Sequence, residues 1–169
     1  MLVYNPSMSE HKAIISWKRT SPDFPSGKYS REHTWSFDGG VTVLASASPL
    51  VVPAPYSNPA HVDPEEAFVA AVSSCHMLTY LYLASQQGFQ VDSYHDAAVG
   101  VMTKNAKGVP WVSAITLHPR IVYSGAKTPA PADEEHLHHL AHEQCFIANS
   151  IRTEVIVKPT ALSTEGLPN

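Results

Sequence analysis

Short runs of period two and two longer stretches of helical period divide this chain. His11-Lys12-Ala13-Ile14-Ile15-Ser16-Trp17 reads as a first strand, and Lys18 to Gly27, with Pro22, Pro25 and Gly27, as a loop. From Lys28 to Phe37 the side chains of Tyr29, His33, Trp35 and Phe37 fall on odd positions, which predicts a second strand. Asp38-Gly39-Gly40 supplies a hairpin turn, and Val41 to Ser48 returns as the third strand. Pro49 to Pro64 then carries Pro49, Pro53, Pro55, Pro59 and Pro64 and no glycine, so it reads as a stiff loop with few backbone donors.

A helix follows. Asp63 predicts its cap, Pro64 its first position and Glu66 the far half of a capping box. It runs to about Gln87, where Gly88 ends it. Phe68, Ala71, Val72, Cys75, Leu78 and Tyr82 share one face, while Val69, Met77, Leu81 and Leu83 lie elsewhere around the cylinder. A helix apolar on most sides is expected at the centre of the core. Val91 to Lys104 and Val109 to Tyr123 read as two long strands joined by the turn Asn105-Ala106-Lys107-Gly108. After a proline-bearing loop, Asp133 predicts the cap of a second helix whose apolar stripe is Leu137, Ala141, Cys145 and Ala148. Thr153 to Lys158 is a last short strand. The order βββ-α-ββ-α-β predicts an α+β fold. A single domain over 1–169 is expected, with 1–10 and 160–169 as peripheral tails.

Composition narrows the function classes. The chain has 169 residues, 44% hydrophobic and 15% charged, which suits one globular core. A net charge of -4 with no basic cluster argues against nucleic acid as a partner. No apolar run is expected to span a bilayer, and Met1-Leu2-Val3-Tyr4-Asn5-Pro6 lacks the regions of a signal peptide, so no membrane partner and a cytoplasmic location are expected. In that compartment a bond between the two cysteines is expected to be transient rather than structural.

The chemistry therefore turns on Cys75 and Cys145, which sit in separate helical segments with no CxxC spacing. Two readings stand at this point: inert core thiols, or a redox couple whose members meet only on folding. Cys75 lies about three turns into its helix, too far for the helix dipole to favour a thiolate. A reactive Cys75 needs a cation from elsewhere. Its neighbour His76 points about 100° away around the helix. Glu65 stands ten residues before Cys75, nearly three turns, and so roughly on the same side. A carboxylate raises a thiol pKa directly but can hold an arginine that lowers it. Arg31, in a half-buried aromatic strand beside His33 and Trp35, is the arginine most in need of a partner. His136, His138, His139 and His142 crowd the second helix, but Phe146 stands where HExxH needs its second histidine. They are read as a solvated face, with no metal.

These residues resemble the OsmC/Ohr family of thiol-dependent peroxidases. Asp63-Pro64-Glu65-Glu66 leading to Cys75 resembles the family's helix start and first cysteine, and Cys145 resembles the second. Arg31 ahead of the Asp38-Gly39 turn resembles the family's strand arginine, and the element order agrees. The resemblance implies an OsmC-like fold formed as an intertwined homodimer, with two central helices packed together and sites at the subunit interface. It implies that Cys75 attacks an organic hydroperoxide and becomes a sulfenic acid. Arg31 then stabilises the thiolate, Glu65 orients Arg31, and Cys145 resolves the sulfenic acid into a disulfide. A dithiol, such as a lipoyl group, then reduces that bond, with no cofactor. Two features depart from the family pattern. Phe146 follows Cys145 in place of a proline, and the loop before the central helix is proline-rich rather than glycine-rich. They favour one alternative, a non-catalytic module of the same fold that binds a small hydrophobic ligand at the dimer interface.

Overall fold

The structure, a computed structural model, describes residues 9–160. The expected tails at 1–10 and 160–169 thus lie almost wholly outside the described residues. The chain forms two compact units that divide between Ala67 and Phe68.

The first unit holds an antiparallel meander of β1 (Ala13–Ser16), β2 (His33–Phe37) and β3 (Thr42–Ala45). The hairpin turn falls where Asp38-Gly39-Gly40 predicts it, with the Phe37 N–H donating to the Val41 carbonyl at 2.9 Å and Gly40 at φ 85°. The strands are shorter than expected. Residues 28–32 are not strand, because Arg31 donates its backbone N–H to the Tyr56 carbonyl at 2.9 Å instead of to a ladder. Asp63 caps α1 (Pro64–Gln86) as the sequence predicts. Its carboxylate accepts the Glu66 N–H at 2.7 Å, and Glu66 accepts the Asp63 N–H at 3.2 Å.

In the second unit α1 continues to Gln86 and closes at Gly88, whose φ is 76°. Each of the two expected long strands is broken in two. The pieces are β4 (Gln90–Asp96) and β5 (Val99–Lys104), then β6 (Pro110–Leu117) and β7 (Pro119–Ser124). β4 pairs with β7, while β5, β6 and β8 (Glu154–Val157) form a second sheet in which β8 runs parallel to β6. Asp96 and Pro119 explain the break. The Asp96 carboxylate takes the His118 N–H at 2.6 Å and the Ser73 hydroxyl, and Pro119 has no N–H for a ladder.

The second helix, α2 (Pro131–Gln144), begins three residues before the expected start, with Ala130 rather than Asp133 as its cap. Pro131 occupies its first turn, and Asp133 acts from inside the helix by accepting the Ala130 N–H at 3.0 Å.

Two apolar clusters fill this unit. Tyr80, Ala84, Phe89, Ile121, Leu137 and Ala141 pack the C-terminal half of α1. Val72, Ile115 and Leu117 pack its earlier turns. The buried side of α1 is rotated from the expected face: Val72, His76, Thr79, Tyr80 and Ala84 are buried, whereas Leu78 is 61% exposed and Ala71 is exposed. Polar partners decide this rotation. Tyr80 pairs with Tyr123, and Thr79 donates to the Cys75 carbonyl at 2.9 Å, so these groups enter the core satisfied. By length and composition α1 is apolar enough to cross a membrane, against the expectation that no such run exists. Its buried His76 and Thr79 instead mark a side that packs against protein.

Candidate functional site

Cys75 and Cys145 are far apart in sequence but meet in the second unit. Cys75 is half-buried on α1, and Cys145 is fully buried at the C-terminal cap of α2. Two consecutive backbone amides join them. Ile147 N–H points to the Cys75 Sγ at 3.5 Å, and Ala148 N–H to the Cys145 Sγ at 3.5 Å. The chain after α2 makes this possible by turning tightly through Ala148–Ser150, with Asn149 donating to the carbonyls of Glu143 and Cys145 at 2.9 Å. Burial, and after it the Cys75 thiol beside it, push the Cys145 thiol up to about 11. Cys145 is therefore a neutral thiol at neutral pH.

Arg31 and Glu65 lie in the first unit. The Arg31 guanidinium lies 3.7 Å from the centre of the Tyr29 ring, and its Nη1 donates to the Gly27 carbonyl at 2.8 Å and to the Tyr29 carbonyl. Its main chain is also held. Trp35 Nε1 donates to His33 Nε2 at 2.8 Å, which puts the His33 proton on Nδ1 to donate to the Arg31 carbonyl at 2.7 Å. Glu65 is half-buried in the first turn of α1. Among the described residues no ion pair joins it to Arg31.

Arg31 lines a concavity of about 350 Å³ with Trp17, Phe24, Tyr29, His33 and Pro64. The rings of Phe24 and Tyr29 lie 4.4 Å apart, and Trp17 lies 5.5 Å from Tyr29. This apolar recess with one guanidinium has no counterpart in the sequence reading, which placed Trp17 and Phe24 only in a strand and a loop. A second missed feature is the interior pair His76 and His138, both buried. Of the four histidines expected on a solvated face, His138 is thus a core residue, its ring packed against that of Tyr80 at 4.3 Å. Glutamate four residues before it and tyrosine on the facing helix were the only sequence signals.

The family comparison agrees with this geometry. The OsmC-like protein family matches residues 57–160. No curated protein matches the chain. Among solved structures, an OsmC-like protein of unknown function from Vibrio cholerae O1 biovar eltor str. N16961 is 56% identical, with a TM-score of 0.88 over 90% of this chain and 100% of that one. An organic hydroperoxide resistance protein from Elizabethkingia anophelis shares the fold at 16% identity and a TM-score of 0.67, covering 91% of this chain and 96% of that one. The organic hydroperoxide resistance protein OhrB of Bacillus subtilis does so at 17% identity and 0.66, covering 90% and 98%. The α+β fold is thus the OsmC-like one, and the chain belongs to the OsmC-like protein family.

Proposed function

We propose that this protein is a thiol-dependent peroxidase that reduces organic hydroperoxides through Cys75 and Cys145. The observation that carries the reading is the meeting of the two thiols on the consecutive amides of Ile147 and Ala148. Cys75 attacks the peroxide O–O bond, giving a sulfenic acid and an alcohol. The Cys145 sulfur then displaces the sulfenic hydroxyl, which leaves as water with the thiol proton, and a disulfide forms. A dithiol such as a lipoyl group returns both thiols and is itself oxidised to a disulfide. The Ile147 N–H supports negative charge on Cys75. Arg31 supplies the cation that the helix dipole cannot, and Glu65, which is not paired with Arg31 among the described residues, orients it by swinging onto the guanidinium when the peroxide is bound. One guanidinium nitrogen of Arg31 is already engaged by carbonyls, and the others serve the peroxide. The aromatic recess beside Arg31 favours a hydroperoxide with an apolar body over hydrogen peroxide.

We place the working form as a homodimer with the central helices packed together. Ala70, Ala71, Ser74 and Leu78 form an exposed face of α1 whose small side chains allow a second helix to approach closely. The meander also leaves Ile14, Ile15 and Leu44 more than half exposed, at 66%, 59% and 57%.

The test is dithiol-dependent consumption of an alkyl hydroperoxide. Cys75→Ser is expected to abolish it, and full activity in that variant sinks the mechanism. Stoichiometric peroxide is expected to join Cys75 to Cys145 in peptide maps. A free Cys145 beside over-oxidised Cys75 removes its resolving role. The same recess supports one rival, a non-catalytic module for a small hydrophobic ligand. An ordinary Cys75 titration without peroxide reactivity selects that rival.

A further inference from the structure

The buried imidazoles of His76 and His138 have no part in the chemistry above. His76 follows Cys75 on α1 and is 1% exposed, and His138 precedes Cys145 by two turns on α2 and is 4% exposed. His76 Nε2 and His138 Nδ1 lie 3.1 Å apart, with the rings 10° from parallel. Burial pushes both histidines below their ordinary value, so the pair is neutral at neutral pH. One of the two facing nitrogens donates to the other, while the Glu134 carboxylate, 4.0 Å from His138 Nε2, stands beyond hydrogen-bond reach.

This arrangement is costly. The outer nitrogens, His76 Nδ1 and His138 Nε2, are buried without a hydrogen-bond partner, as is His142 Nδ1. Among the described residues no three ligating groups converge on a metal position. What the pair does supply is direction. Apolar contacts between two helices tolerate sliding and rotation, whereas one buried hydrogen bond fixes a single register. Disulfide closure needs that register, because it tolerates only about an ångström of spread in the separation of the Cβ atoms. Cys145 is the C-terminal cap of α2, past the last helical residue, and Phe146 after it adds no backbone restraint of the kind proline gives. His138, His142 and Cys145 share one face of α2, so a restraint at His138 is carried along the helix to the thiol.

We infer that the His76–His138 hydrogen bond is a positioning device that holds α2 on α1 in the register presenting Cys145 to Cys75. The inference rests on the reading of the two thiols as a redox couple.

Its test separates closure from peroxide chemistry. In glutathione redox buffers the protein dithiol reduces glutathione disulfide to two thiols and closes its own bond, which gives the effective molarity of Cys145 toward Cys75. His138→Phe keeps a ring but removes the hydrogen-bond partner, and is expected to lower that effective molarity at least tenfold. His138→Asn restores a polar partner at the δ position, able to accept or donate, and is expected to lie within threefold of wild type. Sulfenic acid formation at Cys75, trapped with dimedone in a Cys145→Ser background, is expected to stay within twofold in both variants. A general loss of structure moves both readouts, whereas a positioning role moves only the first. An unchanged effective molarity in folded His138→Phe overturns the inference. If that variant does not fold, His138→Met takes its place, and a tenfold loss in His138→Asn overturns the inference by itself. A wild-type protein inert to peroxide whose glutathione response still follows this pattern refutes the proposed peroxidase and leaves the positioning role standing.

Discussion

Cys145 shows how far a buried setting can move a side chain from its ordinary chemistry. Burial and the neighbouring thiol push it up to about 11, so it carries its proton until a sulfenic acid stands beside it. The sequence named both thiols, but it held nothing about their separation, because that distance depends on the turn after α2. Alkylation of Cys145 by iodoacetamide in a Cys75→Ser background is therefore expected to be at least a hundredfold slower than that of free cysteine at pH 7, and to rise steeply toward pH 10. Mass spectrometry of quenched samples checks this, and rapid labelling at pH 7 refutes it. Tyr80 tells a similar story. It was not among the positions the helix pattern assigned to the core face, yet its hydroxyl pairs with Tyr123 inside the core, and burial raises both phenols. Tyr80→Phe leaves Tyr123 without that partner and is expected to cost about 1–2 kcal/mol in urea unfolding.

At the level of elements, local chemistry was readable wherever neighbours in sequence supply the partners. The Asp63–Glu66 capping box is such a case, and Asp63→Ala is expected to cost about 1 kcal/mol by chemical denaturation. The Asn105–Gly108 turn is another: Asn105 Oδ1 accepts the N–H groups of Lys107 at 2.9 Å and of Val109 at 3.0 Å. The breaks in the long strands were not readable, because Asp96 bonds His118 and Ser73 across the fold. Gly100 belongs with them. In the sequence it is one glycine inside a strand, yet a Cβ there meets Val69 Cγ2 at 2.5 Å, where α1 crosses β5. Gly100→Ala is expected to lower stability by about 1–3 kcal/mol in thermal or chemical melts, and a neutral result means that Val69 turns aside freely.

For the whole molecule, pH and association are the readable consequences. His76 and His138 are held down to about 4 and about 3, against an ordinary 6.5 in the unfolded chain. The unfolded state therefore binds protons first. Stability present above pH 6.5 is lost as pH falls from there through 4 toward 3. The midpoint of thermal unfolding is expected to drop over that window, and to drop less in His138→Phe. On the exposed side of α1, Leu78→Glu places a charge on the proposed dimer face. It is expected to yield monomer in sedimentation, where the wild type is expected to give the proposed dimer. Contiguous residues were enough for the meander, the capped central helix, the order of elements apart from the two strand breaks, and Cys75, Cys145, Arg31 and Glu65 as candidates. Only the tertiary structure decided which side of α1 is buried, that two distant thiols share consecutive amides, and that His138 is a core residue. Those outcomes depend on partners supplied from distant segments, and a pattern of polar and apolar positions does not encode who the partner is.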